Sequence, residues 1–279
     1  MYKSILLHCN DKRRINTLLA YAVGLAEMFG AHLRALSVVP PPMVTTTVPG
    51  GPIAVIDAHC DVYRADNPEM KAMFEEATRG RALLAEWRDA EADGYPVLDA
   101  VLRYGRTADL VVVGQTDREW WGSHYLDLAD RLPVEAGRPV LVIPKSPSHP
   151  DGLGKRIVVG WNARREAARA VFDALPILRK ATEVKVVCVN PQSEQEAAQA
   201  LPTADICASL ARHGVKCEGA DEVKPRRSVG ETLLACAQDF GADLLVMGCY
   251  GHTRWREFIL GGATRHVVSY ATLPVLMAH

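Results

Sequence analysis

Short apolar runs alternate with amphipathic segments along the chain, and the same order of segments occurs twice. In the first copy, apolar runs predict strands at residues 5–7, 33–39, 96–102, 107–114 and 138–143. Apolar residues at helical spacing predict a helix that ends before Gly30, a long helix at 68–93 and a helix before Ala136. Strands that alternate with helices are typical of a parallel sheet covered on both faces.

The second copy follows the same order more compactly. It predicts strands at 156–160, 184–189, 215–220, 243–247 and 272–276, and helices at 163–178, 193–212, 228–240 and from about 262. Ser228 followed by Glu231 is a capping-box pattern, and Gly241 stands where that helix should end. The Pro-, Gly- and Thr-rich stretch at 44–67 of the first copy has no counterpart, so it is interpreted as an insertion or long loop.

Direct sequence similarities support the repeat. Residues 5–10 match 157–162, residues 109–114 match 243–248, and residues 138–142 match 272–276. We therefore expect two domains, at 1–146 and 155–279, joined by a linker at 147–154. The last strands of the two copies, 140–143 and 275–277, are apolar edge strands and are predicted to pair as an intramolecular pseudo-dimer.

Composition narrows the classes of function. The 279 residues carry a formal net charge of -1, with 48% hydrophobic and 23% charged residues, so no strongly basic face indicates nucleic-acid binding. No apolar run approaches the roughly 18 residues of a membrane helix, and no secretion signal opens the chain, which predicts a cytoplasmic protein. The 7 cysteines are interpreted as reduced core thiols. Adjacent His59 and Cys60 lack the spacing of a zinc site.

Spaced glycines follow the strand at 243–247. Gly248, Gly251, Gly261 and Gly262 precede a predicted helix, and a glycine-rich turn before a helix N-terminus lets phosphate oxygens approach backbone N–H groups. The degenerate alternative is a tight turn that only packs the helix on the sheet.

In the first copy the glycines are replaced. Asp117 stands at the second glycine, and residues 127–128 stand near the glycine pair. Carboxylates in these places would repel phosphate, so the first domain is predicted not to bind it. Its pocket is expected to be closed or put to other use by Trp120, Trp121 and the insertion.

These residues resemble the universal stress protein family in its tandem two-domain form, and the resemblance covers nearly the whole chain. Adenine-nucleotide-binding members carry Gly, two residues, Gly, nine residues, then Gly with Ser or Thr. Gly248, Gly251 and Gly261 keep that spacing, but Gly262 occupies the hydroxyl position. The resemblance implies an α/β fold of two tandem doubly wound parallel-sheet domains, like the adenine nucleotide alpha hydrolases, with ATP in the second domain and Mg²⁺ as a companion.

By the same resemblance, the glycine loop would wrap the phosphates and ribose, and the ends of the first two strands would flank the adenine. The site residues so implied are Gly160, Trp161, Asn162, Val189, Met247, Gly248, Gly251, His252, Gly261, Gly262, Ala263 and Thr264. Asn162 stands where the family commonly has Asp, and its other interpretation is a helix N-cap. The hydroxyl missing at Gly262 removes a hydrogen bond worth about 0.5–1.5 kcal/mol, which Thr253 or Thr264 would restore if either points inward.

The predicted function is therefore a cytoplasmic stress-response protein whose second domain binds ATP or a related adenine nucleotide and acts as a regulatory switch. The alternative is a non-nucleotide protein-interaction module in which both pockets are degenerate. No nucleophile with a base and an orienting group is recognisable, so no catalytic residue is predicted and the activity is at most a slow ATPase. Cys249 is interpreted as a buried inert thiol rather than a redox sensor. Expected partners are the nucleotide, other proteins and a further copy of the chain, but neither nucleic acid nor membrane.

Overall fold

The computed structural model describes residues 1–46, 53–56, 58–92, 94–117, 119–120, 128–149, 152–189, 203–222, 227–249 and 262–279. The first half contains β1 (Ser4–His8), α1 (Ile15–Phe29), β2 (His32–Val39), β3 (Met43–Thr46), β4 (Ile53–Ile56), α2 (Ala58–Thr78), β5 (Ala85–Glu91), α3 (Val97–Gly105), β6 (Leu110–Gly114), α4 (Leu128–Glu135) and β7 (Val140–Ile143). The second half contains β8 (Arg156–Gly160), α5 (Arg165–Leu178), β9 (Glu183–Val189), α6 (Thr203–Arg212), β10 (Cys217–Glu222), α7 (Val229–Phe240), β11 (Leu244–Gly248), α8 (Gly262–Tyr270) and β12 (Val275–Ala278).

Ten of these strands form one continuous sheet. Their order is β10-β9-β8-β11-β12-β7-β6-β1-β2-β5, and neighbours within each half are parallel. The two halves meet where β12 and β7 pair antiparallel, with Leu276 opposite Leu141. This seam confirms the predicted pairing of the last strands, and it joins two doubly wound α/β units into a pseudo-dimer.

Helices cover both faces of the sheet. Apolar residues of α1, α2, α5 and α6 form the core on one face, while those of α3, α4, α7 and α8 form the core on the other. The central strands are apolar on both sides, as parallel strands between two helix layers must be. Within the described residues, the structure contains no helix that is long and apolar enough to cross a membrane.

A matched aspartate anchors the first strand of each half. The Asp243 carboxylate accepts hydrogen bonds from the backbone N–H groups of Gly154 and Lys155, both at 2.9 Å. Asp109 accepts from the N–H groups of Lys3 and Ser4 at 2.7 and 3.0 Å. The repeat seen in the sequence therefore extends to the hydrogen bonds that hold β1 and β8 in place.

The predicted helix ends are confirmed at three positions. Gly30 and Gly241 follow α1 and α7 in the left-handed conformation, with φ of 58° and 64°. Ser228 and Glu231 form both hydrogen bonds of a capping box at the start of α7. A Cβ atom is disfavoured at positive φ, which explains glycine at both C-terminal caps.

The long helix predicted at 68–93 is wrong. The helix α2 already begins at Ala58, contains Pro68 and ends at Thr78, while residues 85–91 form β5. Strand β5 is an edge strand paired only with β2 among the described residues. Its charged side chains face solvent, so it lacks the apolar pattern that identifies a buried strand.

Two further expectations for the first half need correction. The strand predicted at 96–102 is the helix α3, because a short apolar run fits a buried helix turn as well as a strand. The stretch 44–67, interpreted as an insertion or long loop, contributes to the antiparallel pair β3–β4 and to the first turns of α2, so it is not a long loop. The pair β3–β4 has no counterpart among the described residues of the second half, which fits an insertion.

Candidate functional site

The carboxyl ends of β8 and β11 meet in the second half, where Met247 lies opposite Gly160 in the parallel register. Each strand ends in a glycine. A Cβ on Gly160 would lie 3.1 Å from the Leu233 side chain, and a Cβ on Gly248 would lie 2.5 Å from the backbone N of Ala167. Both glycines thus allow α7 and α5 to pack closely on the strand ends, which is a structural role independent of any ligand.

A tight turn leads from β8 into α5. The backbone N–H of Trp161 donates to Val187 O at 2.9 Å, and Ala163 adopts a φ of 57°, which is unusual for a residue with a Cβ. Asn162 is exposed, and its side-chain oxygen accepts a hydrogen bond from Arg164 N at 3.1 Å. The helix N-cap is Arg164, not Asn162. Asn162 therefore stabilises the turn, and its NH₂ group takes no part in that bond.

Two polar atoms beside this turn are buried without a hydrogen-bond partner among the described residues. They are the Trp161 Nε1 and one carboxylate oxygen of Glu166, and both residues are 6% exposed. The other Glu166 oxygen lies 3.5 Å from Arg165 Nε. Buried polar atoms normally have partners, so this edge of the sheet has unused hydrogen-bonding capacity.

The N-terminus of α8 lies at the same end of the second half. A Cβ on Gly230 of α7 would meet Ala263 O at 2.8 Å and His266 Cβ at 2.9 Å, so glycine at 230 lets α7 and α8 pack closely. Gly262 is exposed, and a Cβ placed there would have no heavy atom within 4 Å. The backbone N–H groups of the first turn of a helix have no partner within the helix, which makes such an end suitable for an anion.

The remaining predicted site residues are distributed as follows. Met247 is buried, and Val189 is half-buried at the end of β9. Thr264 is 3% exposed, so this candidate for the missing hydroxyl lies on the packed side of α8. Gly251, His252 and Gly261, together with Thr253, lie outside the described residues.

Cys249 is an inert core thiol, as expected. It is fully buried, and its thiol donates to Ala278 O at 3.4 Å. Burial, together with the nearby Glu166 carboxyl group, raises the pKa of this thiol well above its ordinary range. The thiolate needed for redox or nucleophilic chemistry is therefore disfavoured.

The matching edge of the first half is filled by its own side chains. Arg14, at the start of α1, donates to the backbone oxygens of Gln115 and Ile143 at 2.5 and 3.0 Å. Its guanidinium group covers Gly114, because a Cβ there would lie 3.1 Å from Arg14 Nη1. Asn10 is also used internally, since its side-chain amide makes two hydrogen bonds with the backbone of Val38.

A second arginine ties the aspartates of this edge together. Arg13 binds the Asp11 carboxylate through two hydrogen bonds and reaches Asp117 at 3.2 Å. Its guanidinium carbon also lies 4.6 Å from the centre of the Trp120 ring. Lys145 lies 3.8 Å from Asp117, so the carboxylate that was expected to repel phosphate is already paired with two cations.

Sequence reasoning missed Arg14 and Glu166. Continuing the match of residues 5–10 with 157–162 by four positions places Arg14 opposite Glu166. Both residues lie in the first turn region of their helix, and both pack against the glycine that ends the neighbouring strand. The change from Arg14 to Glu166 could thus be found by comparing the two repeats. Its effect on the site became clear only from the contacts of these residues with Gly114 and Gly248.

A hydrogen bond links the first half to the proposed phosphate-side helix of the second. Gln115 is buried, and its side-chain nitrogen donates to Val268 O in α8 at 2.7 Å. Its side-chain oxygen accepts from Lys145 N at 2.8 Å. The position of α8 therefore depends on a residue at the end of β6.

No metal centre is formed by the described residues. They contain no group of three or more His, Cys, Asp or Glu side chains placed to hold an ion. All seven cysteines are outside disulfide bonds.

Comparisons with known proteins agree with this geometry. The sequence model of the universal stress protein family matches residues 154–279. A universal stress protein from Methanocaldococcus jannaschii is 36% identical over 47 residues, which are 17% of this chain and 29% of that relative's length. A solved universal stress protein from Archaeoglobus fulgidus has a TM-score of 0.73 and 15% identity, with 99% of this chain and 95% of that chain covered.

A second solved structure, a protein of unknown function from Pseudomonas aeruginosa, has a TM-score of 0.60 and 15% identity, with 99% of this chain and 92% of that chain covered. At such identities the two structures establish the fold and nothing more. Their near-complete coverage shows that the whole tandem arrangement, and not one half alone, is shared.

Proposed function

Residues 154–279 of this chain belong to the universal stress protein family, and from that premise we propose that the second half binds ATP or a related adenine nucleotide. Binding would act as a regulatory switch in a cytoplasmic stress response. The observation that carries the proposal is the contrast between the two matched edges. The second half offers an exposed helix N-terminus at Gly262 and unpartnered polar atoms on Trp161 and Glu166, whereas Arg14 covers the same place in the first half.

Each part of the nucleotide has a candidate neighbour. The ends of β8 and β9, with Gly160, Trp161, Asn162 and Val189, would flank the base and ribose. The start of α8, with Gly262 and Ala263, would face the phosphates, because its N–H groups and helix dipole favour negative charge. Gly251, His252 and Gly261 would complete the phosphate side, as the family pattern implies.

Glu166 fits a divalent cation better than a bare phosphate. Its carboxylate is buried with one oxygen unpartnered among the described residues, and a carboxylate oxygen is a preferred ligand of Mg²⁺. We therefore propose that the nucleotide binds together with Mg²⁺, which would offset the repulsion between Glu166 and the phosphate oxygens. Mg²⁺ would polarise the phosphates when bound, and we propose at most slow hydrolysis at this site.

The first half would contribute stability and a partner surface rather than a second nucleotide site. Arg13 and Arg14 satisfy the backbone and carboxylate groups that a nucleotide would otherwise contact. Removing one buried member of such a network leaves its partners unpaired. The free energy lost in this way exceeds the free energy gained from one hydrogen bond to a nucleotide.

Calorimetric titration of the full chain with ATP, ADP and AMP, with and without Mg²⁺, tests the proposal. We expect saturation near one nucleotide per chain. Gly251→Asp, which copies the residue of the first half, should abolish binding through charge repulsion. The same change at Gly152, whose Cβ would meet no atom within 4 Å, is the matched control and should leave binding unchanged.

A second variant tests the cation. Glu166→Gln should weaken nucleotide binding in Mg²⁺ and leave binding in EDTA unchanged or stronger. If the folded wild-type chain binds no adenine nucleotide at millimolar concentration, the proposal is wrong, and the protein-interaction module with two degenerate pockets becomes the better description.

A further inference from the structure

A small cavity lies at the carboxyl edge of the first half, and Arg14 is among the residues that line it. Its volume is about 30 Å³, enough for a water molecule or a monatomic ion. Its polar lining residues include His8, Asp11, Arg14, Thr116 and Asp117. The cavity is separate from the nucleotide site proposed for the second half.

Three side chains around this cavity have buried polar atoms without a hydrogen-bond partner among the described residues. These atoms are His8 Nε2, Arg14 Nε and Thr116 Oγ1. His8 itself is only 4% exposed. Buried polar atoms are normally hydrogen-bonded, so three unpartnered atoms around one cavity indicate that something occupies it.

The chemistry of the three atoms selects the occupant. Arg14 Nε can only donate a hydrogen bond, and the Thr116 hydroxyl can donate one. Burial lowers the pKa of His8 to about 3, so its ring is neutral near pH 7 and can carry its proton on Nε2. Three such groups around one cavity favour an acceptor with several lone pairs.

The charges around Arg14 also favour an anion in this cavity. The two Nη groups of Arg14 donate to neutral backbone carbonyl groups, while the nearby Asp11 carboxylate is held by Arg13 and Asp117 is shared between Arg13 and Lys145. No carboxylate among the described residues forms an ion pair with Arg14. The Asp11 and Asp117 charges raise its pKa, but by less than burial lowers it. Burial lowers the Arg14 pKa, and a buried cation of this kind is stabilised by a counter-charge.

We propose that the first half binds a small inorganic monoanion of halide size, such as chloride, between Arg14 Nε, Thr116 Oγ1 and His8 Nε2. The first half would then be an anion-stabilised unit in place of a nucleotide site. The second half cannot hold the same ion, because Gly160 replaces His8 and the Glu166 carboxylate replaces the Arg14 guanidinium group.

Bromide provides a direct probe, because its anomalous scattering identifies it in crystals of the full chain. We expect an anomalous peak within about 3.5 Å of Arg14 Nε, in crystals grown with bromide as the monovalent anion. Density without an anomalous signal would mean that water fills the cavity, and this result would overturn the proposal.

Thermal unfolding tests the same site in solution. With ionic strength held constant by sodium gluconate, chloride above its dissociation constant should raise the melting temperature of the wild type by roughly 2–3 °C per tenfold increase. Thr116→Val, which removes only the hydroxyl group, should reduce this slope, and Arg14→Met should abolish it.

Thr107→Val is the matched control, because Thr107 is exposed and bonds to Tyr104 O away from the cavity. Its chloride slope should equal that of the wild type. Equal slopes in Thr116→Val and the wild type would show that chloride acts elsewhere, even if Arg14→Met does not fold. Nucleotide binding by the second half is measured separately, so either proposal can fail alone.

Discussion

The two halves share the same arrangement of strands and helices, but they differ in the side chains at the carboxyl ends of their strands. Among the described residues, each half has five sheet strands alternating with four helices, and Asp109 and Asp243 anchor the first strands in the same way. At the edge, Arg14 in one half corresponds to Glu166 in the other. A single position in the first turn region of a helix thus decides whether the edge is filled by a cation or keeps a buried carboxylate.

The contrast also changes the role of shared residue types. Asn10 and Asn162 follow equivalent strands, yet Asn10 is 4% exposed and bound to Val38, whereas Asn162 is exposed and stabilises a turn. The same type of side chain makes buried structural hydrogen bonds in one half and is an accessible polar group in the other. Residue identity alone therefore does not transfer a role between repeats.

The matched glycines should give the largest difference between the halves. Gly248→Ala places a Cβ 2.5 Å from backbone atoms of α5, and we expect it to lower the free energy of unfolding by about 3 kcal/mol. Gly114→Ala meets only the movable tip of Arg14 and should cost about 1 kcal/mol. Urea denaturation followed by circular dichroism measures both, and equal losses would contradict this account.

The paired asparagines should also differ in their effect on stability. Asn10→Ala removes two buried hydrogen bonds and leaves the Val38 N–H and C=O groups without them, so we expect a loss of about 2–3 kcal/mol. Asn162→Ala removes one exposed hydrogen bond and should cost about 0.5 kcal/mol. Nucleotide titration of the same variants should show the reverse order, with weaker binding only in Asn162→Ala.

His8, whose counterpart in the second half is Gly160, should make the stability of the first half decrease at acidic pH. Its pKa is lowered from 6.5 to about 3 by burial, so the unfolded chain binds a proton more readily, and stability falls as the pH drops below 6.5. Between pH 7 and 5, the wild type should lose about 2 kcal/mol more than His8→Leu. Urea midpoints in chloride-free buffer measure this difference, and parallel pH profiles would disprove the assignment.

The sequence was sufficient for the architecture because the central strands are apolar and the helix caps are explicit. It failed at the periphery of the first half. Strand β5 carries charges on both faces at the sheet edge, and α3 is a short apolar helix, so neither has a period that separates strand from helix. Strand β5 is identified only by its pairing with β2, and α3 only by its packing on the sheet.

The site was less predictable than the fold, for a physical reason. The repeat identified which edge to examine, but loss of the first site was assigned to repulsion by Asp117 and to closure by Trp120, Trp121 and the insertion. The structure adds two arginines to this closure, with Arg13 on Asp117 and Trp120, and Arg14 on the strand end. The direction of a side chain at the start of a helix depends on the conformation of the preceding turn. The hydrophobic pattern of the sequence does not specify that conformation.

The antiparallel seam has a consequence for the order in which the chain is made. β7 closes the first half, but its partner β12 follows after all the other strands of the second half. On the ribosome, the first half therefore waits with an apolar edge, Val140–Ile143, that has no partner of its own on that side. Such an edge invites pairing with another nascent chain. The period between synthesis of β7 and of β12 is when this protein would most need a chaperone.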